Sequence, residues 1–294
     1  LSLEAGHNFR QGASGSLSVS ELKMEENTIL ENLGRVEIKP ASDGFSPSHD
    51  MKGQFINRGN ALLAETKQLN IGSEPTADHK VEAKFHTEAG AQTSFADALV
   101  KTGSELKNEG QESGKNLVVE KLAAYLITSR GESVWEDVRL EGNATISGGK
   151  LQVTTGFLRV ENGATLLNDG GTIHAHLIDE SHVIGTIINK GEARFNQLTL
   201  SEGSESHNYG YQVGKLLLVR SDSTGHNTYE DSRSQWEKVE LNEALTNKGS
   251  FVITQQLDAK ADITNHGTGF LDTSGTQGFI TAHNLVNYGE AKHQ

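Results

Sequence analysis

Short runs of alternating apolar and polar residues recur along the chain, and most begin two residues after a glycine. After Gly34, Val36 and Ile38 alternate with Arg35 and Glu37. After Gly59 come Ala61 and Leu63, after Gly191 come Ala193 and Phe195, and after Gly249 come Phe251 and Ile253. In "GGTIHAHLI", Ile173, Ala175 and Leu177 alternate with His174 and His176. A period of two marks a strand with one buried face, and a glycine at a constant distance fixes which residues face inward.

That glycine usually closes an Asn-x-Gly triplet. The triplets are Asn32–Gly34, Asn57–Gly59, Asn168–Gly170, Asn189–Gly191, Asn247–Gly249, Asn265–Gly267 and Asn287–Gly289, with two more at Asn108 and Asn208. The gaps between their asparagines are 25, 51, 60, 21, 19, 39, 18 and 22 residues. Most fall near one, two or three times twenty, which is a repeat unit rather than scattered turns. A longer period lies above it. "GSELKNEGQESGKNLVV" from Gly103 returns as "GSESHNYGYQVGKLLLV" from Gly203 (203 − 103 = 100), and "WEDVRL" at Trp135 returns as "WEKVEL" at Trp236. The opening "GHNFRQGASGSLSV" reads as a third, worn copy.

A strand with one apolar face cannot bury that face alone, and stacking successive units solves the problem. These patterns predict an all-β, right-handed parallel β-helix with coils of about twenty residues and a super-repeat of about one hundred. The 294 residues would then form one continuous array of about fifteen coils, in blocks near 1–102, 103–202 and 203–294. Glycine suits corners that need positive φ or leave no room for a Cβ. Asparagine tolerates such corners, and stacked amides can form a ladder. Three stretches break the strand pattern and read as loop excursions, near 39–52, 123–133 and 221–234. A short helix over Asn116–Gly131 is the competing reading, but "LLLVRSDSTGHNTYEDSRSQ" in the next block cannot follow it.

Composition narrows the class. The formal charge of −13 and the lack of any basic run disfavour nucleic acid and anionic membranes. With no cysteine there are no disulfides or thiolate metal sites. No apolar run is long enough for a transmembrane helix. The chain begins at Leu1 and reads as a piece of a longer protein.

The sequence "LTNKGSFVI…DITNHGTGFLDTSG", with apolar-x-Asn-x-Gly recurring at this interval, resembles the repeats of filamentous-haemagglutinin-type exoproteins. The likeness is best over Thr165–Leu200 and Leu241–Glu290, while the "WE-x-V-x-L" element lies outside the family pattern. The resemblance implies a segment exported by two-partner secretion through an outer-membrane transporter to the bacterial surface. There it would adhere to a receptor or glycan on a host or neighbouring cell, or present another module. Family members include adhesins and contact-dependent inhibition toxins. The alternative readings are a delivery segment of a large toxin and a polysaccharide-cleaving β-helix enzyme.

Candidate chemistry is sparse. His174 and His176, with His182 nearby, are imidazoles that zinc accepts, but no third ligand beyond Asp179 or Glu180 is evident, so no metal site is expected. Glu136, Asp137, Glu237, Glu240, Asp179 and Glu180 show no catalytic spacing, and neither a catalytic residue nor a cofactor is expected. Trp135 and Trp236 stand in phase with the buried face, yet tryptophan also suits recognition. The stretch "SDSTGHNTYEDSRS" differs from its counterpart while its frame persists. Tyr229 and Trp236 are therefore the candidate receptor or glycan contacts, the alternatives being an inert surface loop and a tryptophan that caps the core.

Overall fold

Alternation with one buried face becomes three short strands per coil, separated by corners. The computed structural model describes residues 1–39, 49–63, 68–73, 82–128, 130–201, 203–220, 223–275 and 281–292. The chain is an all-β parallel solenoid of about 13 turns with coils of roughly 20 residues. No helix occurs among the described residues, so none is long and apolar enough to cross a membrane. Two compact units divide it, Leu1–Gln152 and Val153–Gln294.

In the first unit, one face (face A) stacks Asn8–Gln11, Ile29–Asn32, Gln54–Asn57, Lys84–Thr87, Glu105–Asn108, Ala124–Ile127 and Asn143–Ile146, all parallel. First residues on this face lie 21, 25, 30, 21, 19 and 19 apart (8, 29, 54, 84, 105, 124, 143). The long intervals of 25 and 30 span the stretches 40–48 and 74–81, outside the described residues. They explain why there are about 13 turns rather than the fifteen that a uniform period predicts. In the second unit face A runs through Thr165–Asn168, Thr186–Asn189, Glu205–Asn208, His226–Thr228, Leu245–Asn247 and the last residues of Ser250–Asn265. Face B follows each A/B corner, and face C completes the coil. In Gln111–Val119, Glu132–Leu140, Glu192–Leu200, Tyr211–Val219 and Arg233–Leu241 a single nine-residue strand supplies both B and C.

Two of the expected excursions are ordinary coil. Ala124–Ile127 and His226–Thr228 are face A strands in register with their neighbours. The second was hidden because polar residues fill its inward places: His226, Thr228, Ser232 and Ser234 are all buried. The third, near 39–52, lies mostly outside the described residues. One apolar assignment also fails: Leu177 is exposed, because the strand ends at Ala175 and Ile178 turns inward instead.

The asparagines of the triplets are inside, except Asn287, which is exposed. Asn32, Asn57, Asn168, Asn189, Asn247 and Asn265 are no more than 1% exposed. Each closes face A, and its amide bonds along the stack. Asn168 Nδ2 donates to Asn189 Oδ1 (2.7 Å), and Asn189 Nδ2 to Asn208 Oδ1 (2.9 Å). Asn247 donates to Asn265 (2.8 Å), Asn265 to Asn287 (2.8 Å), and in the first unit Asn32 to Asn57 (2.9 Å). The same Nδ2 reaches a face B carbonyl of the next coil, as Asn189 does at Tyr211 O (3.0 Å). The Oδ1 accepts from the glycine amide two residues on: Asn189 from Gly191 at 3.3 Å, Asn57 from Gly59 at 3.1 Å, and Asn32 from Gly34 at 3.1 Å. Thr87 and Thr228 stand in the ladder at places where the triplet is absent.

The glycines answer to space more than to φ. A Cβ on Gly191 would lie 2.1 Å from Gly171 O, and one on Gly249 would lie 2.3 Å from Tyr229 O. Gly34, Gly59 and Gly289 meet the preceding coil in the same way. Gly170 is the exception, with φ +79° and open space. Gly267 does not fit either reason: its nearest neighbour is an ordinary 3.7 Å away and its φ is not positive. That corner is two residues longer, and Gly269 takes the crowded place, 2.6 Å from Asn247 O. Gly249→Ala should therefore destabilise the fold by about 1–3 kcal/mol, since a backbone carbonyl must move. Gly267→Ala should stay within about 0.5 kcal/mol of the parent. Urea unfolding of the two variants checks both, and equal losses would refute the assignment.

Candidate functional site

The outer positions offer side chains that packing does not fix. In the second unit the middle residues of the A/B corners lie one above another by register: Lys190, Tyr209, Tyr229, Lys248, His266 and Tyr288. Tyr209 stacks on Tyr229 with centroids 4.0 Å apart and planes 11° from parallel, and remains 43% exposed. His207 Nδ1 lies 3.0 Å from Tyr229 Oη, and His207 Nε2 lies 3.2 Å from Glu205 Oε2. Arg233 stands 5.9 Å over the Tyr211 ring on the neighbouring edge. Partial burial, then the hydrogen bond and charge of Tyr209, push the Tyr229 hydroxyl up to about 12, so it stays protonated and able to donate. This corner presents aromatic rings, hydroxyls and cations on a chain of net charge −13.

Tyr229 therefore sits where a partner can reach it, and Trp236 does not. Trp236 is 0% exposed, so it is corrected as a candidate surface contact and takes the core position that its phase also allowed. The cause is the packing that also explains the hundred-residue repeat. Phe195, Gly214 and Trp236 occupy the same place on three successive coils, as do Phe95, Gly114 and Trp135 in register order. Without a side chain on the middle coil, each indole reaches back over it. A Cβ on Gly114 would be 2.2 Å from Trp135 Cζ3, and one on Gly214 would be 2.3 Å from Trp236 Cζ3. Trp135 stacks on Phe95 at 5.5 Å, and Trp236 on Phe195 at 6.5 Å. The repeated Phe, Gly-Lys and Trp-Glu elements are thus one core module spanning three coils.

The first unit wires that module with polar groups. Trp135 Nε1 donates to Tyr125 Oη (3.1 Å), Tyr125 Oη donates to Glu112 Oε2 (3.3 Å), and Thr87 Oγ1 donates to Glu112 Oε1 (2.8 Å). Glu112 is a carboxyl within the core, 2% exposed. Burial outweighs its two hydrogen bonds and raises its pKa to about 7. Neither glutamate nor tyrosine stood out in the sequence as interior. Their inward phase, two residues before Gly114 and two before Ile127, was the available signal.

Elsewhere the expected groups do not converge. His174 and His176 lie edge to face at 5.4 Å, while His182 bonds Ser201 Oγ at 2.5 Å. Among the described residues no group of three His, Asp or Glu side chains could hold a metal ion. Asp179 and Glu180 line a hollow of about 340 Å³ with Phe157, Arg159 and His182, and Glu237 accepts from Gln255 (3.1 Å) on another coil. A second hollow, of about 230 Å³, opens at the B/C corner over Gly214 between His176, Arg194, Lys215 and Glu237. Comparison of the chain with family models, with curated proteins and with solved structures finds no match.

The buried carboxyl has a pH signature. Its folded pKa of about 7 exceeds the ordinary 4.5, so the folded state favours the protonated form. The stabilisation this gives is complete below about pH 4 and is lost as pH rises through 7. Unfolding free energy should fall by about 3 kcal/mol from pH 4 to pH 8 through this group. Glu112→Gln should remove that slope and leave the protein more stable at pH 8. Chemical denaturation across this range decides it, and a parent and variant with parallel pH profiles would contradict the assignment.

Proposed function

We propose that this chain is a non-enzymatic β-solenoid segment of a secreted bacterial surface exoprotein of the filamentous-haemagglutinin type. Its coils serve as a scaffold, and the A/B corner of the second unit contacts a receptor or glycan on a host or neighbouring cell. The resemblance of the Asn-x-Gly repeats supports the class, and the observed coils agree with it. The Tyr209–Tyr229 stack carries the contact reading. Two tyrosines, one 43% exposed, stand at a corner with Lys190, Lys248 and His266 in line with them. Aromatic rings with polar tips serve recognition because they bring large contact area at low entropic cost.

The division of labour follows from the coil. Inward residues are fixed by stacking, so changes there cost stability, whereas the middle residue of each corner can vary freely. The double substitution Tyr209→Ser, Tyr229→Ser should weaken binding of the purified segment to cells or arrayed glycans at least tenfold, about 1.4 kcal/mol. Its unfolding midpoint should remain close to the parent's. Binding that survives the double substitution unchanged would remove this corner from the contact, and a parent segment that binds neither cells nor glycans would refute the adhesive reading.

A further inference from the structure

The hundred-residue correspondence extends to the polar groups of the core. Leu106 pairs with Tyr125, and Ser206 (206 − 106 = 100) pairs with His226. Glu112 pairs with Ser133, and Gln212 (212 − 112 = 100) with Ser234. Trp135 pairs with Gly114, and Trp236 with Gly214. Gln212, His226 and Trp236 thus occupy the places that Glu112, Tyr125 and Trp135 hold in the first unit.

In the first unit the tyrosine hydroxyl is the hub, accepting from the indole at 3.1 Å and donating to the carboxyl at 3.3 Å. Imidazole is shorter than phenol and carries no hydroxyl, so it stops short of that hub. In the second unit the Gln212 Oε1 and Nε2, the His226 Nε2 and the Trp236 Nε1 are all buried and make no hydrogen bond within the protein. Gln212 is 1% exposed, and His226 and Trp236 are 0% exposed. A buried polar atom left unpaired is destabilising, so leaving these groups unsatisfied is disfavoured.

We infer that Gln212, His226 and Trp236 form a site for one buried water molecule, which stands where the Tyr125 hydroxyl stands in the other unit. The donor set selects the guest. An indole N–H and an amide NH2 repel a cation, while an imidazole lone pair and an amide oxygen repel an anion. Water accepts from Trp236 Nε1 and donates to His226 Nε2 and Gln212 Oε1, so it partners three of these four atoms. This assigns the histidine tautomer: His226 Nδ1 carries the proton and donates to Ser206 Oγ, 2.9 Å away. A neutral ring agrees with its surroundings, since burial, then the nearby His207, push the His226 pKa down to about 3. Phe251 packs edge to face on the ring at 5.9 Å and makes one side of its surroundings apolar.

A high-resolution crystal structure of the chain tests this directly. A water peak within hydrogen-bond distance of Trp236 Nε1, His226 Nε2 and Gln212 Oε1 is expected. Direct bonds among the three side chains, or no peak between them, would overturn the inference. In solution, magnetic relaxation dispersion of water nuclei should lose one long-lived water on His226→Tyr, whose hydroxyl replaces it. Unchanged dispersion in a folded variant would equally overturn the proposal. If that variant does not fold, the parent crystal structure decides alone.

Discussion

A buried side-chain amide, repeated on most coils, is the constraint on which the rest of the corner depends, with Thr87, Thr228, Ile127 and Ile146 at the same place on others. Parallel stacking brings backbone carbonyls and amides into an interior without solvent, where each must find a partner. At the A/B corner an asparagine meets several of these needs at once. In the second unit Asn189 accepts from Asn168 and from the Gly191 amide, and donates to Asn208 and to Tyr211 O. Such a chain of amides fixes the lateral register, because a slip of one residue would turn the amide outward and an apolar neighbour into its place. The crowded glycine follows from the same geometry: the coil below aims its carbonyl at the position a Cβ would take.

Much of this was legible in the sequence, and the exceptions have physical causes. The interval of the asparagines and the phase of Val36, Ala193 and Phe251 show the coil, because both sets of residues are fixed by stacking. The inward direction of the asparagines was not legible, since a polar residue beside glycine looks the same whether it caps a turn or lines a core. Thr87 and Thr228 were missed because a hydroxyl can hold a ladder place without the triplet. The coil through His226 reads as a loop in the sequence because burial there rests on Ser, Thr and His rather than on apolar side chains. Of the candidate contacts, Tyr229 lies at a corner and Trp236 in the core. The gap between Phe195 and Trp236, with Gly214 between them, held that answer, but only register shows that the three align.

The super-repeat then has a packing meaning. A large indole cannot share its layer with a second side chain on the adjoining coil, so Gly114 and Gly214 leave that place open. The two copies keep this steric frame and differ in how they satisfy their polar atoms. The first closes its network through Tyr125 and Glu112, and the second has His226 and Gln212 at those places. Variation in the core is thus confined to exchanges that the frame tolerates, while the corner residues outside it vary in charge and ring character.

The account rests on the amide ladder, and Asn189→Asp tests it most directly. The change preserves shape and the acceptor toward Asn168 and Gly191. It removes the donor to Asn208 and Tyr211 O and buries an acid among acceptors. Chemical denaturation of parent and variant at pH 7 should show a loss of about 3 kcal/mol or more, the scale for breaking a buried hydrogen-bonded network with a charged group. A loss below about 0.5 kcal/mol, the scale of a neutral surface change, would show that the coils hold their register without the ladder.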